Sequence, residues 1–164
     1  MTSSFAKLRT HVLGKEICAA LYALLEDDSY LLEKDVNERS ISHRLACHLQ
    51  REFPTWHVDC EYNRDSTSTE PTPKKRLPSF HPQPLITDDT EGRTVFPDII
   101  VHHRGTTENL LVIEIKKHPS SVSQDIDRKK LRAYRVDHGY ESALFLVLAT
   151  GATPALHLVE WIDA

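Results

Sequence analysis

The feature that most constrains this chain is a pair of consecutive apolar segments, TVFPDIIVHH and NLLVIEIKK, joined by a short polar turn around RGTTE. Runs this rich in β-branched residues and bounded by turn residues predict buried strands. Each run also contains charge: Asp98 lies in the first, and Glu114 and Lys116 lie in the second. Because a buried charge is costly without a partner, these three side chains are the first candidates for a functional site.

The predicted strands bring the two acids together. Alternate residues of a strand share a face, so Glu114 and Lys116 point the same way, about 7 Å apart. A short turn makes the two segments hydrogen-bonded neighbours, so Asp98 converges with Glu114 across one face of the sheet. Two close carboxylates repel unless a cation lies between them, and Mg²⁺ prefers such oxygen ligands. An adjacent lysine can position a water and stabilise negative charge at phosphorus, so the pattern predicts a metal-assisted hydrolytic site.

A purely structural interpretation of the same residues stays open. Glu114 and Lys116 also fit a same-face ion pair on an edge strand, a contact that stabilises little. Asp98 also fits a residue that caps the start of a strand after Pro97. Short patterns such as E-x-K occur by chance, so the order of the surrounding elements has to support the catalytic interpretation.

Apolar residues recur at helical spacing in three parts of the chain. The predicted helices cover residues 4–26, with a break near Gly14, a segment from about Asp35 to Pro54, and residues 121–137. The sequence DVNE predicts the cap of the second helix, with Asp35 as its first residue. Ser121 and Gln124 resemble a capping box for the third helix, and Gly139 predicts its end.

Five strands are predicted around these helices. They cover residues 56–64, 94–103, 109–117, 143–150 and 156–162. Residues 65–93 form a Pro-, Ser- and Thr-rich stretch without periodicity, which predicts a long loop that is either functional or poorly ordered. The length of 164 residues fits one α/β domain over residues 1–164 with a substantial core.

The motif Pro97–Asp98 followed by Glu114–Ile115–Lys116 resembles the signature of the PD-(D/E)XK nuclease superfamily. The resemblance extends over roughly residues 35–150, through the order helix, strand, strand, strand, helix, strand. It implies an α/β restriction-endonuclease-like core, with a mixed central sheet flanked by helices, an extra N-terminal helix and a C-terminal strand. It also implies a Mg²⁺-dependent nuclease, with Mn²⁺ as an alternative ion, that hydrolyses phosphodiester bonds by metal-activated water.

The resemblance also implies roles for the charged residues of the motif. Asp98 and Glu114 would bind the metal ion, and the backbone carbonyl of Ile115 would be a further ligand. Lys116 would orient or activate the attacking water. Glu38, on the second predicted helix, would reach the metal site as a further catalytic residue, although it equally fits a residue that completes the helix cap.

Basic side chains cluster at and after the proposed site, although the whole chain has a formal charge of −4. Such patches bind phosphates without reading sequence, so nucleic acid is the expected partner, with DNA favoured. The residues predicted to contact it are Lys117, Arg128 and Lys130 near the site, and Lys74, Lys75 and Arg76 in the long loop. Asp125 and Asp127 oppose this charge, and a solvated helix face is the alternative interpretation of the basic run.

Three cysteines without a CxxC pair argue against a disulfide framework and a structural zinc site, and they predict a cytoplasmic protein. The apolar runs ICAALYALL and ALFLVLA are too short to span a bilayer, so no membrane association is expected. A homodimer is compatible with the sequence, and endonuclease and exonuclease action are not distinguished. The alternative to a nuclease is a catalytically inactive module of the same fold that binds nucleic acid or a protein partner.

Overall fold

A computed structural model of the chain describes residues 3–62, 64, 76–80, 96–119 and 124–163. The helices of this described part are α1 Ser3–Arg9, α2 Gly14–Asp27, α3 Ser29–Glu33, α4 Glu38–Glu52 and α5 Asp125–His138. The strands are β1 His57–Cys60, β2 Ile99–His102, β3 Asn109–His118, β4 Ser142–Ala149 and β5 Ala155–Trp161. The predicted α/β class is therefore confirmed.

The strands form one mixed sheet in the order β1-β2-β3-β4-β5. Neighbouring strands are antiparallel except β3 and β4, which are parallel and are connected through α5. Parallel neighbours need a crossover connection, and the helix predicted between the third and fourth strands provides it. The sheet stays open, with β1 and β5 at opposite edges.

Both faces of the sheet are covered, which explains why the central strands are such continuous apolar runs. On one face, Ile113 and Ile115 of β3 belong to a buried cluster with residues of α1, α2 and α4. On the other face, Val112 of β3 and Phe145 of β4 belong to a cluster with residues of α5. Because alternate residues of a strand share a face, Glu114 lies on the α5 face, next to Val112.

The N-terminal helical region is divided in two by a tight connection. The sequence predicts a break near Gly14, and α1 ends at Arg9 while α2 begins at Gly14. A β-carbon on Gly14 would lie 2.0 Å from the carbonyl oxygen of Leu8, so only glycine fits where the two helices meet. Close backbone approach therefore fixes the position of the break.

The cap predicted for the second long helix is wrong by two residues. Asn37, and not Asp35, precedes the first turn of α4, and its side-chain oxygen accepts a hydrogen bond from the Ser40 N–H at 2.8 Å. Asp35 has a positive φ of 50° and binds Nζ of Lys117 through its carboxylate. The shift makes Glu38 the first residue of α4, so it does not complete a cap with Asp35.

Other predictions differ from the structure at the ends of elements. The five residues of α3 are too few to show a helical period, so the sequence pattern does not indicate this helix. The strand predicted over residues 56–64 is confined to the four residues of β1. The proposed capping residue Ser121 and most of the predicted loop at 65–93 lie outside the described residues. Within the described part of the chain, no helix combines the length and apolarity needed to cross a bilayer.

Candidate metal centre

The pairing of β2 with β3 places Asp98 and Glu114 on one face of the sheet. Ile99 pairs with Ile113 in an antiparallel register, so Asp98 and Glu114, the residues just outside this pair, lie opposite each other. Oδ2 of Asp98 accepts a hydrogen bond from the N–H of Ile115 at 2.7 Å. The two acids therefore meet where β2 begins, beside the C-terminal half of β3.

Glu114 is buried, with 1% of its surface exposed, and its charge partner comes from α5. Nζ of Lys130 lies 2.7 Å from Oε1 of Glu114 and also donates a hydrogen bond to the carbonyl oxygen of Phe96 at 2.9 Å. Among the described residues Oε1 has no directed hydrogen bond, so its contact with Lys130 is an ion pair. Burial raises the pKa of Glu114 to about 8, although the charge of Lys130 acts to lower it.

Lys116 is surrounded by oxygen atoms from three different elements. Its Nζ lies 3.0 Å from Oε1 of Glu38, 3.1 Å from the carbonyl oxygen of Ile115 and 3.8 Å from Oδ1 of Asp127. Burial acts to lower the pKa of Lys116, but the hydrogen bond with Glu38 and the neighbouring carboxylate charges outweigh it and raise that pKa. Lys116 is therefore an ammonium at neutral pH. It donates a hydrogen bond to the carbonyl oxygen of Ile115, the atom that the family resemblance assigns to the metal ion as a ligand.

Glu38 reaches this cluster because of where α4 begins. Asn37 caps the helix, so Glu38 is the first residue of its first turn, a position at which the helix dipole favours an acid. Its side chain is 32% exposed and that of Lys116 is 20% exposed. The pair lies at the solvent side of the cluster, whereas Glu114 lies at its buried side.

Asp127 on α5 is a member of the cluster that the sequence does not single out. Its side chain is 13% exposed and lies beside Lys116, and burial raises its pKa. In the sequence it is one of two acids in the first turn of a basic helix, a common placement that needs no site to explain it. Asp127 lies three residues before Lys130 on the helix. This spacing would indicate that Asp127 belongs to the site only if the packing of α5 against β3 were already known.

The cluster carries more negative than positive charge. Its members are the carboxylates of Glu38, Asp98, Glu114 and Asp127 and the ammonium groups of Lys116 and Lys130. With all four acids ionised the excess is two negative charges, and it falls to one when Glu114, whose pKa burial raises to about 8, holds its proton. Burial also raises the pKa of Asp98 and Asp127. A divalent cation beside the acids would neutralise this excess.

The residues predicted to bind nucleic acid near the site all have acidic partners. Nζ of Lys117 lies 2.8 Å from Oδ1 of Asp35, and Nε of Arg128 lies 2.7 Å from Oε2 of Glu160. Lys130 points inward to the buried acid on β3. The remaining predicted contacts are Arg76, which is exposed, and Lys74 and Lys75, which lie outside the described residues. The structure therefore groups Lys130 with the catalytic candidates and separates Lys117 and Arg128 from them.

In the described ranges, no three His, Cys, Asp or Glu side chains form a ready-made metal-binding group. The residues that could hold an ion are the two strand acids, Asp98 and Glu114, whose oxygens suit hard divalent cations. Comparison of the chain with models of protein families, with curated proteins and with solved structures finds no match in any of the three. Function is therefore inferred from the residues of the site and their geometry.

Proposed function

We propose that this protein is a Mg²⁺-dependent nuclease with a restriction-endonuclease-like core. The proposal rests on the meeting of Asp98 and Glu114 at neighbouring strands, inside a cluster in which acids outnumber ammonium groups. The order α4-β1-β2-β3-α5-β4 supports it, because the PD-(D/E)XK resemblance implies the same order of elements. The expected substrate is nucleic acid, with DNA favoured.

The donor set of the site suits Mg²⁺. This ion keeps several of its waters and needs few protein ligands, so Asp98 and Glu114 suffice to hold it. Oε1 of Glu114 lies 2.7 Å from Nζ of Lys130, and a carboxylate has lone pairs enough to contact an ion beside this ammonium. A bound ion would lower the pKa of a coordinated water, which makes that water a better nucleophile, and it would polarise a phosphoryl oxygen. Mn²⁺ also accepts carboxylate and water ligands and is the alternative ion.

Lys116 has an electrostatic role in this proposal. Its raised pKa keeps it charged, so it donates hydrogen bonds and does not act as a general base. An ammonium has three N–H donors, and two of them are directed at Glu38 and at the carbonyl of Ile115. The third donor has Oδ1 of Asp127 at 3.8 Å, which is beyond a direct hydrogen bond, so in this proposal it orients a water or stabilises the negative charge that develops on the phosphate.

A second candidate function is a binding module of the same fold without catalysis. One observation favours it: the site acids already have partners, since the Ile115 N–H binds Asp98 and Lys130 binds Glu114. Such a module would bind nucleic acid or a protein without a metal ion. We prefer the nuclease because buried charges without a catalytic use cost stability that apolar residues would not.

Cleavage assays on purified protein test the nuclease. Labelled duplex DNA, single-stranded DNA and RNA are incubated with Mg²⁺ or with EDTA, and we expect cleavage only with Mg²⁺. Glu114→Gln and Lys116→Ala should each lower the rate by about 10²-fold or more. Glutamine keeps the shape of the buried side chain, so the core around position 114 stays filled. Lys129→Ala is the matched control, because Lys129 is an exposed lysine on α5 beside the cluster.

The possible outcomes separate the two candidates. Cleavage that persists in EDTA and in both variants would exclude this site as the catalytic centre. Nucleic-acid binding without cleavage, together with no heat of Mg²⁺ binding in calorimetry, would select the binding module. Loss of cleavage in both variants but not in Lys129→Ala would support the nuclease.

A further inference from the structure

A pocket of about 590 Å³ opens beside Asp98, between the N-terminal half of α4 and the end of β1. Its volume is in the range of sites that hold small molecules, and it is ample for one nucleotide. Asn37 and Ser40 of α4 line one side, and Cys60 and Glu61 line the other. The motif residues that define the metal centre do not explain this pocket, since Asp98 alone is common to both.

Three basic side chains of α4 line the pocket, namely Arg39, His43 and Arg44. The side chain of Arg39 is 79% exposed, and its Nε contacts Glu61 at 2.6 Å. Nε of Arg44 contacts Asp28 at 2.9 Å. A guanidinium has five N–H donors, so each arginine can bind a phosphate oxygen and keep its carboxylate contact.

The rest of the lining is mixed: Glu61 and Asp98 are acidic, Asn37, Ser40 and Ser42 are polar, and Leu31 and Cys60 offer surface to an uncharged group. Leu31 contributes aliphatic surface. Burial raises the pKa of Cys60 to about 11, so its thiol stays neutral at physiological pH. In nucleic acid each nucleobase is planar, uncharged and joined through a sugar to phosphate. The pocket thus has surfaces for both parts of a nucleotide, with Asp98 of the metal centre at one end.

We propose that this pocket binds one unpaired nucleotide of the substrate, next to the phosphodiester bond that is cleaved. The base would lie against Leu31 and Cys60, and the phosphate would contact Arg39. A base held in a pocket is neither stacked nor paired in a duplex, so the substrate class is single-stranded or locally unpaired nucleic acid. That this nucleotide lies next to the cleaved bond rests on the proposed nuclease function. That the pocket binds a nucleotide does not rest on it.

Binding is measured by fluorescence anisotropy in EDTA, with a short fluorescein-labelled oligothymidylate and a matched duplex as probes. We expect the wild-type protein to bind the single strand about tenfold more tightly than the duplex. His43→Trp fills the pocket and should weaken single-strand binding by about tenfold or more. Glu52→Trp adds the same bulk at an exposed position in the last turn of the same helix, and it should bind like the wild type.

Arg39→Ala is a second variant that removes charge without adding bulk. It should weaken binding of the single strand and reduce the slope of log affinity against log salt by about one. Thermal unfolding midpoints of all variants check that each one is folded. Equal binding of the single strand by wild type, His43→Trp and Arg39→Ala would overturn the proposed pocket.

Cleavage assays with Mg²⁺ separate this inference from the nuclease proposal. Faster cleavage of the single strand than of the duplex, with loss of that preference in His43→Trp, would support both. Metal-dependent cleavage of duplex and single strand at equal rates would refute the pocket and leave the nuclease intact. Single-strand binding that depends on His43 and Arg39, without any cleavage, would refute the nuclease and retain the pocket.

Discussion

Nζ of Lys116 lies 3.0 Å from Oε1 of Glu38, and this contact joins β3 to the first turn of α4 across 78 positions of the sequence. Both side chains are mostly shielded from solvent, so the interaction is stronger than that of a typical surface pair. The contact closes the cluster on its solvent side, next to Asp98. Glu38 therefore controls where the ammonium group stands relative to the strand acids.

Glu38→Gln should lower kcat for nucleic-acid cleavage by about tenfold, because the ammonium of Lys116 loses its nearest anionic partner. The free energy of unfolding should fall by about 1 kcal/mol, the upper end of the range for exposed pairs, because both side chains are mostly shielded. Steady-state kinetics and urea unfolding measure the two effects. Glu52→Gln, in the last turn of α4, is the control and should leave both unchanged. An unchanged kcat in Glu38→Gln would show that this contact has no catalytic importance.

Asp127→Asn should also lower kcat, by about three- to tenfold, with little change in KM, because Asp127 helps to position Lys116 and does not bind substrate. Asp127→Glu should restore part of the loss. The double variant with Glu38→Gln should lose more than the product of the single effects, since both acids hold one ammonium. Asp125→Asn, on the same helix and 80% exposed, is the control. Strictly multiplicative losses would contradict a shared function of the two acids.

Mg²⁺ should stabilise the protein against thermal unfolding. A ligand at about 100 times its Kd contributes about 2.7 kcal/mol, which corresponds to a rise in Tm of roughly 5–10 °C for a chain of this size. Asp98→Asn should abolish the rise, and EDTA should reverse it in the wild type. Differential scanning fluorimetry over a Mg²⁺ series measures the shift. An equal shift in wild type and Asp98→Asn would show that the ion binds elsewhere.

Asp59 on β1 should contribute stability that depends on pH. Burial acts to raise the pKa of Asp59, but hydrogen bonds with Arg104 and His102 outweigh it and lower that pKa. A carboxyl group whose pKa is lowered by folding stabilises the protein at pH values above its pKa in the unfolded state, which is near 4. This stability is lost as pH falls through its pKa in the folded state. Asp59→Asn should therefore cost about 1–2 kcal/mol at pH 7 and less below about pH 4.

Urea unfolding of wild type and Asp59→Asn at neutral and acid pH measures this difference. Asp163→Asn is the control, because Asp163 is an exposed aspartate near the C-terminus and should have no such effect. A difference in stability that stays constant between the two pH values would contradict the assignment. It would mean that the loss comes from packing and not from the charge of Asp59.

The sequence predicts the strands of this protein better than its charge partners. The continuous apolar runs in DIIVHH and LLVIEIKK identify β2 and β3, and together with the short turn between them they are sufficient to predict that Asp98 and Glu114 face each other. The structure gives a register in which they do so. This succeeds because strand periodicity and a short turn determine both the pairing and the face of each side chain.

Contacts between distant elements could not be predicted in the same way. Lys117, Arg128 and Lys130 look alike in the sequence, yet Lys130 binds the buried acid of the cluster while the other two bind Asp35 and Glu160. The partners of Arg128 and Lys130 depend on how α5 packs against the sheet, and that of Lys117 depends on where the segment before α4 lies, which local pattern does not specify. The cap of α4 was missed for a local reason, since Asp35 and Asn37 are both good capping residues.

Two ion pairs of opposite polarity link α5 to β3. Asp127 faces Lys116, and one turn later on the helix Lys130 faces Glu114. If α5 shifted along β3 by one helical turn, Lys130 would lie beside Lys116, and the two ammonium groups would repel each other. The opposite polarity of the two pairs therefore favours one position of α5 along β3. Exchanging the charges within both pairs at once should preserve this position, whereas exchanging them in one pair alone should destabilise it.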